Sequence, residues 1–281
     1  MCIRDSTYSL SALFEKSFHF GLDLAASYTF GHSKSVYDGT SSVAYSNWKY
    51  NYAVDSNNPG LAYSMFDIPH RVMVSVGYRT PRYAKGFMAT TVSLVYNGYV
   101  GQRYSLTMNE SYYDAEKKKT VYIDYNGDGW GGNSLLYIPT EDELQKMDFK
   151  TEEDRRKFDE WIEGDSYAKK HRGAYAMRNS NSAPWENRVD LHVAQDIFVL
   201  KDRGSKFQVT FDVTNFANML NKKWGTTYTA AYNVMPLQVI GSKKGEDGNY
   251  TNTYAYNSRN TITKNDVLSR WHAQIGFKYI F

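Results

Sequence analysis

The clearest chemical spacing in the sequence belongs to three oxygen-bearing side chains in one glycine-rich segment. Asp124, Asn126 and Asp128 alternate along the chain and are followed by Gly129. This is the first half of a calcium-binding loop, in which alternate oxygen ligands converge on a hard cation. The second half is missing, because position twelve is Leu135 instead of a glutamate. The segment therefore predicts either a calcium site or a turn stabilised by its own Asp and Asn side chains.

Residues that could carry out catalysis form no recognisable pattern. The six histidines are scattered, and neither Gly-x-Ser-x-Gly nor His-Glu-x-x-His occurs, which argues against a hydrolase. The single cysteine, Cys2, provides neither a disulfide framework nor a cysteine-based metal site. We therefore expect a protein that is not an enzyme and that has no cofactor other than the candidate calcium ion.

Two further groups of side chains could take part in binding. Arg188, Asp190, His192 and Asp196 share one side of a predicted strand, where opposite charges most often form cross-strand ion pairs. Several other aromatic residues could stack on a sugar or another flat ligand, or could equally pack the loops that contain them. These residues are Trp48, Tyr50, Tyr52, Trp130 and Tyr228.

Composition excludes several classes of protein. The 281 residues include 33 Lys and Arg against 30 Asp and Glu, and their lack of a basic face argues against a nucleic-acid partner. Mean hydropathy is −0.60, and no segment approaches the roughly 20 consecutive apolar residues that a membrane-spanning helix needs. Aromatic residues make up 16% of the chain, which argues against intrinsic disorder.

Alternation with a period of two residues is the main structural signal. Leu22, Leu24 and Ala26 are separated by Asp23 and Ala25, so one face of this segment is apolar and the other is small or polar. Similar alternation elsewhere predicts seven strands in all. They cover residues 7–15, 19–31, 70–79, 87–99, 185–198, 206–216 and 267–281.

The connections between these strands alternate between short and very long. Residues 16–18, 80–86 and 201–205 form short turns, whereas residues 32–69, 101–184 and 217–266 form long polar loops. Loops longer than about 15 residues are uncommon in compact soluble domains, but they are normal on one side of an outer-membrane barrel. A soluble carbohydrate-binding β-sandwich is the alternative, and it explains the long loops less well.

Two smaller patterns refine this prediction. Thr140 and Thr151 are followed by acidic residues, and Phe158, Trp161 and Ile162 are spaced for one helical face, so the second long loop should contain two short helices. Aromatic residues near the strand ends should form interfacial girdles. They are Phe20, Tyr28, Phe30, Tyr78, Trp185, Trp271, Tyr279 and Phe281.

The last strand ends in a pattern of its own. Gln274, Gly276, Tyr279 and Phe281 are spaced as polar, glycine, aromatic and aromatic, which resembles the signal by which outer-membrane barrels engage their assembly machinery. A strand with an unpaired edge can be recognised by strand addition, and its aromatic residues can fix the register. These four residues are therefore predicted to be an assembly signal.

Several motifs in a fixed order suggest a family. They are Asp67-Ile68-Pro69-His70-Arg71, Tyr96-Asn97-Gly98, Gly101-Gln102-Arg103-Tyr104-Ser105, Asp124-Tyr125-Asn126-Gly127-Asp128-Gly129, Leu136-Tyr137-Ile138-Pro139, His171-Arg172-Gly173, Ala183-Pro184-Trp185-Glu186-Asn187-Arg188 with Gln195-Asp196, Asn215-Phe216-Ala217-Asn218, and Trp224-Gly225. In this order they resemble the C-terminal part of a TonB-dependent outer-membrane receptor of the Oar-like type.

The resemblance implies an all-β fold in which residues 7–281 are the last seven strands of a 22-stranded transmembrane antiparallel barrel, with extracellular loops that carry short helices. Residues 1–6 are expected to be a non-native leader. The implied function is import of a scarce solute across the outer membrane. Its implied partners are outer-membrane lipid, the barrel-assembly machinery, an extracellular ligand of unknown identity, and the TonB complex, which would be contacted by a preceding N-terminal part. Which solute is transported does not follow from the sequence.

Overall fold

Seven long strands form one antiparallel sheet in the part of the chain that the structure describes. This computed structural model describes residues 5–199, 205–229, 233–246, 248–258 and 262–281. Each long strand pairs with the next one along the chain, as the alternating sequence pattern predicts. The strands are β1 (Ser6–Ser17), β2 (Leu22–Ser35), β3 (His70–Arg79), β4 (Met88–Tyr99), β5 (Glu186–Phe198), β6 (Lys206–Thr214) and β7 (His272–Ile280).

The strand register gathers the apolar residues on one side of the sheet. Leu24 of β2 lies opposite Val76 of β3, which lies opposite Leu94 of β4. Leu94 in turn lies opposite Leu191 of β5, and Leu191 opposite Val213 of β6. Directly paired residues point to the same side of a sheet. The sheet therefore has an apolar face, which carries these residues, and a polar face, which carries the residues between them.

The apolar face is open to its surroundings. Leu10 of β1 is 73% exposed and Phe277 of β7 is 78% exposed. Across the described residues, no second sheet covers this face. An apolar surface that extends over seven strands is far larger than the patches that soluble monomers expose.

The two ends of the sheet differ in their connections. At one end, the turn end, short connections join β1 to β2, β3 to β4 and β5 to β6. The opposite end, the loop end, carries loop 1 (36–69), loop 2 (100–185) and loop 3 (215–271). The third predicted turn, 201–205, lies outside the described residues except for Ser205, whose carbonyl accepts a hydrogen bond from the Val199 N–H at 2.9 Å.

The β1 to β2 connection differs from the prediction. Phe20 lies in the turn instead of the strand, because the chain reverses at residues 18–21, where the Gly21 N–H donates to the Phe18 carbonyl at 3.0 Å. Gly21 has a φ of +95°, a conformation that favours glycine. At its other end β2 extends to Ser35 and pairs with the short strand Ala62–Tyr63.

Helices replace the predicted ends of two strands. The structure ends β6 at Thr214, and Asn215 adopts a left-handed conformation before a short helix, Phe216–Leu220. Another helix, Asp266–Ser269, replaces the predicted start of β7, because the Asn265 side chain caps it by accepting the Leu268 N–H. Trp271 therefore precedes β7 instead of lying within it.

Five α-helices occur among the described residues, all of them in the loops: α1 (Ala44–Lys49), α2 (Glu141–Lys146), α3 (Glu152–Gly164), α4 (Phe216–Leu220) and α5 (Asp266–Ser269). The prediction of two helices in loop 2 is confirmed by α2 and α3, which are capped by Thr140 and Thr151. A 3-10 turn, Ala168–Lys170, follows α3. None of the described helices is long and apolar enough to span a membrane.

The hydrophobic core lies in the loops. Leu106, Leu136 and Phe158 of loop 2 are fully buried, and Val234 and Leu237 of loop 3 are buried in the same cluster. The sequence predicted long polar loops but not this core, around which loops 2 and 3 fold together. The short strands described in these two loops were not predicted: Arg103–Leu106, Ser111–Asp114, Lys119–Tyr122, Tyr137–Ile138, Asp148–Phe149, Ala174–Tyr175, Asn181–Ser182, Thr227–Thr229, Asn233–Val234, Leu237–Lys244, Tyr250–Tyr256 and Thr263–Asn265.

Candidate functional site

The predicted assembly signal lies on the last strand of the sheet. Within the described residues β7 pairs with β6 on one edge only, with Gln274 opposite Asp212 and Tyr279 opposite Phe207. The Tyr279 and Phe207 rings are 4.9 Å apart, and Phe281 lies 6.1 Å beyond Tyr279. The signal residues therefore combine a free backbone edge with an aromatic cluster at the turn end, and their role in assembly stays a prediction.

Gly276 is the signal residue for which the neighbouring strand gives a steric reason. A Cβ atom at this position would lie 2.5 Å from the Thr210 Oγ1 atom of the neighbouring strand, well inside van der Waals contact. The glycine in the pattern thus has a structural reason that is independent of any receptor that reads it.

The polar face contains a charged cluster around Asp196. This carboxylate is almost completely buried and accepts hydrogen bonds from Arg79 and Lys206, each at 2.7 Å, and from Gln208 at 2.8 Å. The three partners lie on β3 and β6, so the cluster ties three strands together. A buried carboxylate with two cationic partners is a structural ion-pair network.

The other members of the predicted charged row form smaller pairs. His192 pairs with Asp212 on the neighbouring strand, whereas Arg188 pairs with Asp190 on its own strand at 3.0 Å. The prediction of cross-strand ion pairs is thus confirmed for Asp196, and His192 forms a cross-strand hydrogen bond with Asp212. Arg188 and Asp190 lie on the same face, as predicted, but are paired along the strand.

The structure places the candidate calcium ligands in one hydrogen-bonded turn of loop 2. The Asp128 carboxylate accepts hydrogen bonds from Ser56 Oγ at 2.6 Å, Asn133 Nδ2 at 2.7 Å and the Trp130 N–H at 2.7 Å. Burial acts to raise the pKa of Asp128, but these hydrogen bonds outweigh it and hold the pKa below its ordinary value. The turn is thereby fixed to loop 1 through Ser56.

Asp124 is engaged in a similar way. Its two carboxylate oxygens accept the Asp128 N–H at 3.2 Å and the Gly129 N–H at 2.8 Å. The structure thus places Asp124 and Asp128 in one turn, where each carboxylate accepts hydrogen bonds from the turn itself. Calcium binding by Asp124, Asn126 and Asp128 stays a prediction, which calorimetry would contradict if replacing both aspartates left the heat unchanged.

Loops 1 and 2 enclose a cavity of about 380 Å³ at the loop end of the sheet. We call it the loop cavity. Its lining includes Asp38, Thr40, Asn51, Tyr52, Arg178 and Asn179. Ser35, at the end of β2, lies on the polar face, and its Oγ atom accepts a hydrogen bond from Arg178 at 3.2 Å. The cavity therefore lies on the same side of the sheet as the polar face.

Two buried arginines form the floor of the loop cavity. Arg178 is 4% exposed and donates to Asn51 Oδ1 at 2.6 Å, to Asp38 Oδ2 at 3.4 Å and to the Ser35 carbonyl. Arg103, also a lining residue, donates to Asp67 Oδ2 through Nε at 3.0 Å and through Nη2 at 2.7 Å. Each guanidinium thus has its own carboxylate, as burial of a charge requires.

Sequence reasoning found only part of this site. Tyr50 and Tyr52 were among the candidate stacking residues, and both line the loop cavity. Arg103 and Asp67 occur in the family motifs, but nothing in the sequence joined them, since they lie on different loops. No sequence pattern marked Arg178 or Asp38 as a candidate functional residue. Of the other candidate aromatics, Trp130 instead packs over the Lys49 ammonium, 3.4 Å from its ring centroid.

One exposed apolar face, one polar face and strands of 9 to 14 residues define a β-sheet protein that spans a membrane. A β-sandwich would cover the apolar face, and the described residues leave it open. A family model described as the outer membrane beta barrel domain matches residues 3–270. The chain belongs to this family, and the protein is located in the outer membrane. No match was found among curated proteins or among solved structures.

Proposed function

We propose that the chain is part of a TonB-dependent outer-membrane receptor that binds a scarce solute and imports it with energy from the inner membrane. The observation that carries the proposal is the loop cavity, which lies on the polar-face side of a membrane-spanning sheet. A passive pore needs an open path, whereas a receptor needs a built binding site where solute enters.

The same proposal accounts for the free edges of the sheet. Among the described residues, β1 and β7 each pair with one long strand only. Every spanning strand must pair on both edges, because lipid offers no hydrogen-bonding partner. We propose that further strands complete a 22-stranded barrel and that a plug and a TonB-contacting segment accompany it. The three loops then face outward, and the protein carries out no catalysis.

Measuring which compounds the bacterium removes from its growth medium tests this function, even though the solute is unidentified. Three strains of the native bacterium would be grown in the same complex medium: the wild type, a deletion of this gene, and a deletion of the TonB system. Mass spectrometry would identify the compounds that each strain removes. We expect at least one compound to be removed by the wild type alone, and restoring the gene should restore its removal.

Two outcomes would contradict the proposal. One is a compound whose removal needs this gene but persists without the TonB system, because this would indicate passive diffusion. The other is an identical pattern of removal in the wild type and the gene deletion, because the protein would then import none of the compounds present.

A further inference from the structure

The charges around the loop cavity cancel. Arg178 is paired with Asp38, and Arg103 is paired with Asp67, which is 2% exposed. A cavity built for an anion would leave a guanidinium without a carboxylate, and one built for a cation would leave a carboxylate without a guanidinium. The pairing therefore favours a ligand without net charge.

The cavity nevertheless retains hydrogen-bonding capacity. Within the described residues the Tyr52 and Thr40 hydroxyls have no hydrogen-bonding partner, although both residues line the cavity. Burial raises the pKa of Tyr52, so its hydroxyl keeps its proton and can donate. Asp38 Oδ2 accepts only long hydrogen bonds, from Arg178 at 3.4 Å and from Asn179 at 3.3 Å. A ligand that brings several hydroxyl groups could satisfy all three.

The polar groups of the cavity are held in place before any ligand arrives. Asn179 is 4% exposed and has a φ of +54°, an uncommon conformation for a residue other than glycine. Its side chain donates to the Tyr63 carbonyl at 2.8 Å and its backbone N–H donates to Ser105 Oγ at 2.9 Å. Strained and fully bonded residues of this kind are typical of binding sites that are formed in advance.

The loop cavity also has aromatic side chains, Tyr50 and Tyr52. Tyr50 is 64% exposed at the rim, and Tyr52 takes part in none of the ring stacks found among the described residues. The cavity volume of about 380 Å³ lies at the small end of the range for ligand sites. An aromatic face beside planar amide, carboxylate and guanidinium groups suits a compact ligand with one apolar face and hydroxyls around its edge.

We propose that the loop cavity binds a neutral carbohydrate, taking one or two sugar rings against Tyr52 with their hydroxyls directed to Asp38, Thr40 and the Tyr52 hydroxyl. The identification of this sugar as the imported solute rests on the proposed function. Binding itself does not, because it depends only on the cavity.

Glycan binding by the purified native protein tests the proposal. The protein in detergent would be applied to an array of neutral and acidic oligosaccharides, and the best neutral one would be titrated by calorimetry. Tyr52→Ala should weaken binding at least about tenfold, and Thr40→Trp should abolish it by filling the cavity. Tyr52→Phe, which removes only the hydroxyl, should have an intermediate effect. Tyr113→Ala, at an exposed tyrosine of loop 2, is the matched control and should leave binding unchanged.

The proposal fails if no neutral oligosaccharide binds, if acidic glycans bind in preference, or if Tyr52→Ala and Thr40→Trp bind as well as the wild type. A shift in gel mobility on boiling shows that the sheet of each variant is folded, and resistance of loops 1 and 2 to limited proteolysis shows that the cavity is intact. The two proposals remain separable. Sugar binding without TonB-dependent depletion would overturn only the proposed function, and TonB-dependent depletion by a protein that binds no neutral oligosaccharide would overturn only this inference.

Discussion

A Cβ atom added at Gly276 of β7 would lie 2.5 Å from Thr210 Oγ1 of β6, too close for the present position of that side chain. Replacing Gly276 by Ala should destabilise the strand pair by about 1 to 3 kcal/mol, because the new methyl group would clash with Thr210 Oγ1. The fraction of native protein that shifts mobility on boiling would measure folded barrel. The double variant Thr210→Ala/Gly276→Ala removes the clashing atom and should recover folding. If it does not, the glycine is needed for a reason other than space.

Glu110 is a second residue with an unusual environment. Its carboxylate is buried in loop 2, where Gly132 donates a backbone hydrogen bond to it, and burial raises its pKa above the ordinary value. Between the unfolded and folded pKa values the folded loop binds more protons than the unfolded loop. The contribution of Glu110 to the stability of the loop is therefore greatest below this window and falls as the pH rises through it.

Hydrogen exchange of loop 2 amides between pH 4 and pH 7, corrected for intrinsic rates, would measure this dependence. We expect protection to fall with rising pH in the wild type and to stay nearly constant in Glu110→Gln, which cannot ionise. Equal slopes in the two proteins would contradict the assignment.

At the scale of elements, the strands were predictable because apolar and polar residues alternate along each one according to the face they occupy. β3 occurs at the predicted residues 70–79, since alternate valines can face lipid only if the strand is regular there. The end of β6 and the start of β7 were not predictable from this alternation. Asn215 and Asn265 begin helices there, through a left-handed backbone at Asn215 and a side-chain cap at Asn265.

The second loop helix depends on the apolar face that the sequence shows. Phe158 and Ile162 of α3 are fully buried, and Phe158 stacks on Trp161 with ring centroids 6.0 Å apart. Phe158→Ala should destabilise the folded loops by about 3 to 5 kcal/mol, while the sheet stays intact. Limited proteolysis should then cleave loops 2 and 3 without loss of the gel shift on boiling.

An exposed position on the same helix provides the control for this variant. Lys157→Ala removes only a surface ion pair with Glu153, which is 3.2 Å long, and should cost less than about 1 kcal/mol. Cleavage of both variants at the same rate would show that α3 is not anchored by its apolar face.

At the scale of the whole molecule, the two faces of the sheet have different surroundings, because only the apolar face contacts lipid. Val74 and Ser75 are neighbours near the middle of β3, but Val74 lies on the apolar face and Ser75 on the polar face. Val74→Arg should cost about 2 to 4 kcal/mol, because it places a charge in lipid. Ser75→Arg should be tolerated. Folding into lipid vesicles, followed by gel mobility, compares them directly, and equal yields would contradict the assignment of the faces.

The loop cavity could not be predicted at this scale because its parts are far apart in the chain. Asp38 and Asn51 come from loop 1, whereas Arg103 and Arg178 come from opposite ends of loop 2. Sequence periodicity describes neighbours within one element and carries no information on how loops meet. The buried core of the loops was missed for the same reason, since Leu106 pairs in parallel with Val234 of another loop.

The shared core of loops 2 and 3 also implies an order of folding steps. Val234 and Leu237 are buried in a cluster whose other buried members come from loop 2, and Tyr254, Tyr256 and Ile262 of loop 3 pack against it. Loop 2 can therefore finish folding only after loop 3 lies on the same side of the sheet. Formation of this core would report that both loops have reached that side.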